Sequence, residues 1–165
     1  MFPPPVYPEL FWTNGIAVKI CDTRLSRNPA LAGIKHLNRL EQVLARAEWD
    51  DPDIAEGLML DEQGNVVEGT MSNMFCVIDN VLHTPDLSHC GVKGIARARV
   101  LEQAGQHGIS TCVRALELDD IKQASEVFLT NSLIDVWPVR QVAEQSYAVG
   151  PMSCELLAAL RSANA

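Results

Sequence analysis

Lys35 stands in a motif whose residue types can support nucleophilic chemistry. It follows Gly33 and Ile34 and directly precedes a predicted helix. We expect Ile34 to shield the amine of Lys35 from water, because desolvation favours the neutral, nucleophilic form of an amine. A lysine before a helix is more often a solvated surface charge, so this motif alone leaves both interpretations open.

Glu68 is the second residue whose position indicates chemistry. It ends the apolar pair Val66 and Val67 and directly precedes Gly69. A carboxylate at such a place is either a charge at the edge of a hairpin or a buried acceptor aimed at a nitrogen of a cofactor. The local sequence fits both interpretations.

Two further motifs place polar groups at the ends of predicted elements. Segment 91–95, Gly-Val-Lys-Gly-Ile, leads into a helix whose free N–H groups would form a site for an anion such as phosphate. Thr130, Asn131 and Ser132 end an apolar strand, where their side chains either contact a ligand or cap the turn. Histidines and cysteines show no metal-ligand spacing and no CxxC pair, so we predict no metal site and free thiols.

The hydrophobic periodicity predicts the elements that hold these motifs. An apolar stripe formed by Leu37, Leu40, Leu44 and Ala47 predicts a helix over residues 37–49, with Arg39 and Gln42 largely off the stripe. A second helix is predicted over 95–107, with Ile95, Ala98 and Leu101 on one side and Gly108 as its stop. Shorter helices are predicted over 118–124 and 152–161.

Strands are predicted between these helices. They cover residues 16–21, 57–60, 66–67, 74–78, 81–83, 110–116, 127–130 and 136–142. Asp79 and Asn80 are predicted to form a tight hairpin turn. Hairpins mixed with isolated helices indicate a mixed α and β (α+β) fold.

Length and composition exclude several classes of function. The 165 residues suit one domain, 47% of them are hydrophobic, and the net charge is −8. An acidic protein is a poor ligand for nucleic acid or for anionic membranes, because both need a basic face. We expect no signal peptide, because the first ten residues lack a basic region and an apolar run, and the sequence contains no apolar run of about 18 residues. We therefore predict a cytoplasmic protein that acts on a small molecule and binds neither nucleic acid nor membrane.

The motifs, taken in order, resemble a known family. Segments 33–46, 66–75, 91–97 and 128–139 are similar to the large domain of fold-type IV pyridoxal-phosphate enzymes. That family contains D-amino acid and branched-chain aminotransferases and aminodeoxychorismate lyases. The resemblance extends over about 12–161. It implies the D-amino acid aminotransferase-like fold, a pseudo-barrel of strands with surrounding helices, and pyridoxal 5'-phosphate as the cofactor.

The resemblance implies catalytic and ring-binding roles for the first two motifs. Lys35 corresponds to the lysine that holds the cofactor covalently and then moves protons. Glu68 corresponds to the carboxylate that faces the pyridine nitrogen and keeps it protonated, so that the ring accepts electrons. Asn73 is expected to support the turn that follows Glu68.

The resemblance also implies which residues bind the cofactor phosphate. Ile95 and Ala96 correspond to the helix start whose backbone N–H groups hold it. Family members often carry Thr at the position of Ala96, so a hydroxyl contact is lost here while the backbone donor remains. Asn131 and Ser132 correspond to the strand end near the phosphate and the ring.

The run 35–41 is most similar to the lyases of this family. This similarity implies the conversion of 4-amino-4-deoxychorismate to 4-aminobenzoate and pyruvate, a step of folate biosynthesis. An aminotransferase of the same fold would share Lys35 and Glu68 and stays an alternative. A non-catalytic fragment of such an enzyme and an unrelated soluble binding domain are further alternatives.

The resemblance finally predicts a domain organisation. Residues 1–15 contain four prolines within 2–8 and are expected to form an extended linker, and 16–165 the cofactor-binding large domain. Family members carry a small domain of roughly 100 residues before this region. It supplies an arginine to the cofactor phosphate and basic groups to substrate carboxylates. We expect the sequence to lack that domain, through fragmentation, a misplaced start or natural truncation, and we expect the full-length enzyme to be a homodimer.

Overall fold

Nine strands join into one sheet in the computed structural model, which describes residues 5–163. The strands are β1 (Ile16–Leu25), β2 (Ile54–Asp61), β3 (Val66–Gly69), β4 (Asn73–Ile78), β5 (Val81–Pro85), β6 (Thr111–Arg114), β7 (Glu126–Asn131), β8 (Asp135–Val142) and β9 (Gln145–Ser146). The helices are α1 (Leu10–Thr13), α2 (Leu40–Arg46), α3 (Ile95–Gln106), α4 (Leu118–Gln123) and α5 (Pro151–Ser162).

Six of the strands close into a ring. Their order is β3-β2-β1-β8-β7-β4, and β3 pairs again with β4 through Glu68 and Asn73. β1 runs parallel to β2 and β8, whereas the other pairs of the ring are antiparallel. β5 and β6 extend the sheet from β4, and β9 pairs with β8. The predicted mixed α and β fold with a pseudo-barrel is confirmed.

Local turn chemistry was predicted correctly. Asp79 and Asn80 connect β4 to β5 with φ values of 50° and 62°. Two-residue hairpin loops of type I′ need a positive φ at both central positions, and Asp and Asn tolerate it better than most residues. Gly108 follows α3 with φ +71°, as expected of a residue that ends a helix.

The apolar residues from which two helices were predicted do not form the buried faces of those helices. α2 begins only at Leu40, and its predicted apolar stripe is exposed at Leu37, Leu40, Leu44 and Ala47. The buried positions of α2 are instead Gln42 and Ala45. α3 likewise buries Ala96, Arg97, Val100 and Ala104 and leaves Ile95 74% exposed. Periodicity shows which residues share a face of a helix, but it does not show which face packs against the sheet.

The N-terminal segment is not extended along its whole length. Residues 10–13 form the short helix α1, which corrects the prediction of an extended linker there. Tyr7, Phe11 and Trp12 meet the ring of Trp137 in edge-on contacts, with centroid distances of 4.6, 5.2 and 5.9 Å. Edge-to-face aromatic contacts hold this segment on β8. The part of the predicted linker over residues 1–4 lies outside the described residues.

Membrane-spanning helices, metal-ligand clusters and disulfides are all absent from the described residues. Within residues 5–163, no helix has the length and apolar character needed to cross a bilayer. The same residues contain no group of three or more His, Cys, Asp or Glu side chains arranged to hold a metal ion. All five cysteines are free thiols, as their spacing predicted.

Candidate active site

A cleft of about 380 Å³ lies where β3, β4 and the end of β7 meet the start of α3. Its lining contains every site residue named from the sequence: Lys35, Glu68, Asn73, Ile95, Ala96, Asn131 and Ser132. The fold thus brings the four separate motifs together in one place.

Lys35 reaches the cleft because its segment pairs with the segment that precedes α3. The Gly33 N–H donates to the carbonyl of Gly91 at 2.8 Å, and the Lys93 N–H donates to the carbonyl of Gly33 at 3.1 Å. Gly33 has φ +81°, and a Cβ there would lie 3.0 Å from Lys93 Cδ. Lys35 is exposed and Ile34 is 53% exposed, so the expected shielding of the amine by Ile34 is wrong.

Glu68 is a buried carboxylate with one open acceptor. The side chain is only 2% exposed, which excludes a solvated charge at a hairpin edge. Its Oε2 accepts a hydrogen bond from the Val92 N–H at 2.8 Å, whereas its Oε1 has no hydrogen-bond partner among the described residues. Burial raises the pKa of Glu68 to about 7, and the Val92 N–H and the Arg39 guanidinium oppose that rise.

Asn73 ties the strand ring to the segment before α3. Its Nδ2 donates to the carbonyl of Val92 at 2.7 Å, and its Oδ1 accepts from the Gly94 N–H at 3.1 Å. A Cβ at position 94 would lie 2.2 Å from Asn73 Oδ1, so this contact requires glycine. Asn73 also pairs with Glu68 across β3 and β4. The side chain of Asn73 thus contacts the segment before α3, which the sequence did not reveal, and its support of the turn after Glu68 stays a prediction.

The start of α3 presents backbone donors to the cleft. Gly94 is extended and precedes the first helical residue, Ile95, and α3 runs for 12 residues. The geometry of an α-helix leaves the N–H groups of Ile95, Ala96 and Arg97 without acceptors in the helix. These donors and the helix dipole make the helix start attractive to an anion.

The side-chain amide of Asn131, at the end of β7, is hydrogen-bonded within the protein, and the predicted role of Asn131 and Ser132 near the cofactor stays a prediction. Asn131 Nδ2 donates to the carbonyl of Met71 at 3.1 Å, and Asn131 Oδ1 accepts from the N–H groups of Leu133 and Ile134 at 2.8 and 3.1 Å. Its amide therefore shapes the β7–β8 turn and holds the β3–β4 turn. Ser132 is exposed at the rim of the cleft.

Two residues near Glu68 were not predicted as part of the site. Arg39 Nη2 lies 3.7 Å from Glu68 Oε1, and Gln42 is another group that lowers the pKa of Glu68. The sequence placed both on the side of α2 away from its apolar stripe. Because that stripe faces outward, the polar side of α2 meets the site. The sequence would have indicated Arg39 and Gln42 as site residues only if the polar side of the helix, rather than its apolar stripe, had been assumed to face the site.

Comparisons with known proteins identify what the chain is similar to. The family described as amino-transferase class IV matches residues 3–142. The aminodeoxychorismate lyase of Vibrio harveyi is 41% identical over 139 residues, which are 84% of this chain and 51% of that protein. The chain thus spans about half the length of this relative.

Solved structures give the same picture. The 4-amino-4-deoxychorismate lyase from Pseudomonas aeruginosa matches with a TM-score of 0.95 and 48% identity, over 98% of this chain and 60% of that chain. A T.th. branched-chain amino acid aminotransferase, solved with pyridoxamine 5'-phosphate, matches with a TM-score of 0.85 and 26% identity, over 98% of this chain and 54% of that chain.

Proposed function

The chain belongs to the class IV aminotransferase family, and we propose that it provides the pyridoxal 5'-phosphate site of an aminodeoxychorismate lyase. The proposed reaction converts 4-amino-4-deoxychorismate to 4-aminobenzoate and pyruvate. The observation that carries the proposal is buried Glu68, which lines one cleft with Lys35 and the start of α3 and whose Oε1 has no hydrogen-bond partner among the described residues.

Three features of the cleft fit three groups of pyridoxal phosphate. Glu68 Oε1 is a buried acceptor that has no hydrogen-bond partner among the described residues, and a protonated pyridine nitrogen would satisfy it. The N–H groups of Ile95 and Ala96 fit a phosphate. The exposed amine of Lys35 fits the aldehyde that must be attached covalently.

The charge of the lining supports a substrate with carboxylates. Lys35, Arg39 and Lys93 give the lining three cationic side chains against the single carboxylate of Glu68. The cleft is therefore locally basic although the whole chain has a net charge of −8. Local positive charge favours both the phosphate and an anionic substrate.

The residues perform separate steps in the proposed reaction. When bound, pyridoxal phosphate supplies an electron sink for charge that develops at the amine-bearing carbon of the substrate. The Lys35 amine removes the proton from that carbon as a general base and returns a proton to the departing enolpyruvyl group, which leaves as pyruvate. Glu68 would hold the proton on the ring nitrogen. Asn131 and Ser132 would border the phosphate and the ring.

The similarity to lyases supports the choice of reaction. Identity is 48% to the P. aeruginosa lyase and 26% to the T.th. aminotransferase. An aminotransferase would use the same Lys35 and Glu68 and is the second candidate, supported by that aminotransferase match. A complete enzyme given 4-amino-4-deoxychorismate should release 4-aminobenzoate. Transfer of an amino group from a D- or branched-chain amino acid to a keto acid would favour the second candidate.

The wider biological setting is part of the same proposal. We place the reaction in folate biosynthesis, in the cytoplasm, in an enzyme that is a homodimer at full length. Residues 16–165 act as its cofactor-binding domain. Family members supply a phosphate-binding arginine and further basic groups from the region before this domain, so full turnover requires those groups. The family resemblance supports each of these points.

Covalent trapping tests the cofactor site directly. The chain is mixed with pyridoxal phosphate and reduced with borohydride, and the labelled peptide is identified by mass spectrometry. We expect the label on Lys35. Lys93 is an internal control because it lines the same cleft, and Lys122 is a control outside it. Predominant labelling of Lys93, Lys122 or Lys19 would contradict the assignment.

A further inference from the structure

A second buried carboxylate, Glu56 of β2, lies behind the turn between β3 and β4. It is 1% exposed. Its Oε1 accepts hydrogen bonds from the Gly57 N–H at 2.9 Å, the Thr70 N–H at 3.1 Å and the Thr70 hydroxyl at 2.5 Å. Its Oε2 accepts from the Met71 N–H at 3.1 Å and the Ser72 hydroxyl at 2.8 Å. Four of these five donors belong to the turn.

No cation among the described residues lies within ion-pair distance of Glu56. A buried carboxylate is costly unless hydrogen bonds replace its water. Hydrogen bonds to a charged acceptor are about twice as strong as neutral ones. The conformation of the turn that supplies all four donors is therefore strongly favoured over other conformations of the same residues.

The same turn forms one wall of the cleft. It joins Glu68 to Asn73, and Met71 and Ser72 within it line the cleft. A Cβ at Gly69 would lie 2.2 Å from Ser72 Oγ and 2.8 Å from Glu56 Oε2, so the turn closes tightly over the carboxylate. The position of Glu56 therefore determines where the two cleft residues at the ends of the turn lie.

We propose that Glu56 is a positioning residue of this site: its carboxylate fixes the β3–β4 turn and, through it, the placement of Glu68 and Asn73 for the cofactor. Glu56 does not line the cleft, so it would act on the cofactor only through the turn. The proposal rests on the proposed pyridoxal phosphate site.

Glu56→Gln tests this role, with Glu126→Gln as a matched control. Glu126 is also a buried carboxylate, at 6% exposure, and it accepts from the N–H groups of Met152 and Ser153 at the start of α5. It does not line the cleft. Both variants lose hydrogen bonds to a buried carboxylate, so both are expected to unfold at lower urea concentrations. Only Glu56→Gln should disturb the site.

The measured quantity is the pyridoxal phosphate concentration that gives half-maximal borohydride trapping on Lys35. We expect Glu56→Gln to raise it about tenfold, because the Gln amide replaces one oxygen and leaves at least one N–H of the turn unpaired. Glu126→Gln should change it less than about twofold. In the cofactor-free protein, hydrogen exchange should accelerate at residues 69–73 in Glu56→Gln and at the start of α5 in Glu126→Gln.

Thr70 offers a milder pair of variants in case Glu56→Gln does not fold. Its hydroxyl bonds Glu56 and it does not line the cleft. Thr70→Val should raise the half-maximal concentration about threefold, and Thr70→Ser, which keeps the hydroxyl, should restore it. The role of Glu56 would be overturned if the wild type is trapped normally on Lys35 while Glu56→Gln and Thr70→Val change the half-maximal concentration no more than Glu126→Gln does. That result would leave the proposed function intact. Failure of the wild type to label Lys35 would overturn the proposed function as well.

Discussion

Glu68→Gln should change how the stability of the cofactor-free chain depends on pH. Burial raises the pKa of Glu68 to about 7, above the 4.5 of a solvated glutamate. The folded state therefore holds a proton that the unfolded state releases, and folding becomes less favourable as pH rises from about 4.5 to about 7. The stability contributed by protonated Glu68 is fully present below about pH 4.5 and is lost through pH 7.

The size of this effect follows from the two pKa values. Between about pH 5 and about pH 8 the wild type should lose about 2–3 kcal/mol through this one group, since one pKa unit corresponds to about 1.4 kcal/mol. Glu68→Gln keeps the shape and an acceptor for the Val92 N–H, but it cannot ionise. The variant should therefore gain stability relative to the wild type as pH rises.

Urea unfolding at the two pH values measures this difference. The free energy of unfolding of Glu68→Gln minus that of the wild type should be about 2–3 kcal/mol larger at about pH 8 than at about pH 5, because only the wild type loses stability through this group. Other titrating groups are common to both proteins and cancel. A difference that stays flat with pH would refute the account of Glu68 as a carboxylate held at a raised pKa. A difference of opposite sign would show that Arg39 stabilises the charged form more than burial opposes it.

The remaining predictions concern neighbouring groups and the chain as a whole. Arg39→Met removes the cation 3.7 Å from Glu68 Oε1, so the pH at which stability falls should move upward, as measured by the same unfolding series. Gly94→Ala should displace Asn73 and weaken pyridoxal phosphate trapping on Lys35 by about tenfold or more, since the new Cβ would lie 2.2 Å from Asn73 Oδ1. Gly105→Ala, within α3, is its control: nothing lies within 4 Å of the new Cβ, and the variant should gain about 0.5–1 kcal/mol with trapping unchanged. In a complete enzyme, Glu68→Gln should keep the cofactor bound but lower turnover strongly, and an unchanged rate would contradict the role of Glu68. Residues 1–165 alone should bind the cofactor weakly and turn over little substrate, because they do not include the phosphate-binding arginine that family members supply from the preceding region. One such charge-assisted contact contributes about 1.5–3 kcal/mol, or roughly 10- to 150-fold in affinity. A titration with micromolar or tighter affinity, together with steady release of 4-aminobenzoate, would overturn this last prediction.

Features set by local chemistry could be predicted from the sequence. The hairpin at Asp79 and Asn80 and the end of α3 at Gly108 depend only on residues that tolerate a positive φ. The resemblance of the four motifs to the fold-type IV family also implied that the site residues lie together. Its physical basis is the ring of strands, which brings Glu68, Asn73 and the end of β7 to the same cleft.

Features set by long-range packing were not predictable in the same way. The apolar stripe of α2 gave a helical face but not its direction, so Arg39 and Gln42 were assigned to the polar side instead of the site. Glu56 and Glu126 gave no signal either. The groups that donate hydrogen bonds to these carboxylates lie up to 16 residues along the sequence from Glu56 and up to 27 residues from Glu126. Only the folded chain brings those donors together.

The most direct test of the central claim is a crystal structure of the chain after reduction with borohydride in the presence of pyridoxal phosphate. We predict continuous density between the cofactor and Lys35 Nζ, with the ring nitrogen about 3 Å from Glu68 Oε1 and the phosphate at the N–H groups of Ile95 and Ala96. A cofactor attached to Lys93, or one whose ring nitrogen points away from Glu68 and whose phosphate lies away from α3, would contradict the account.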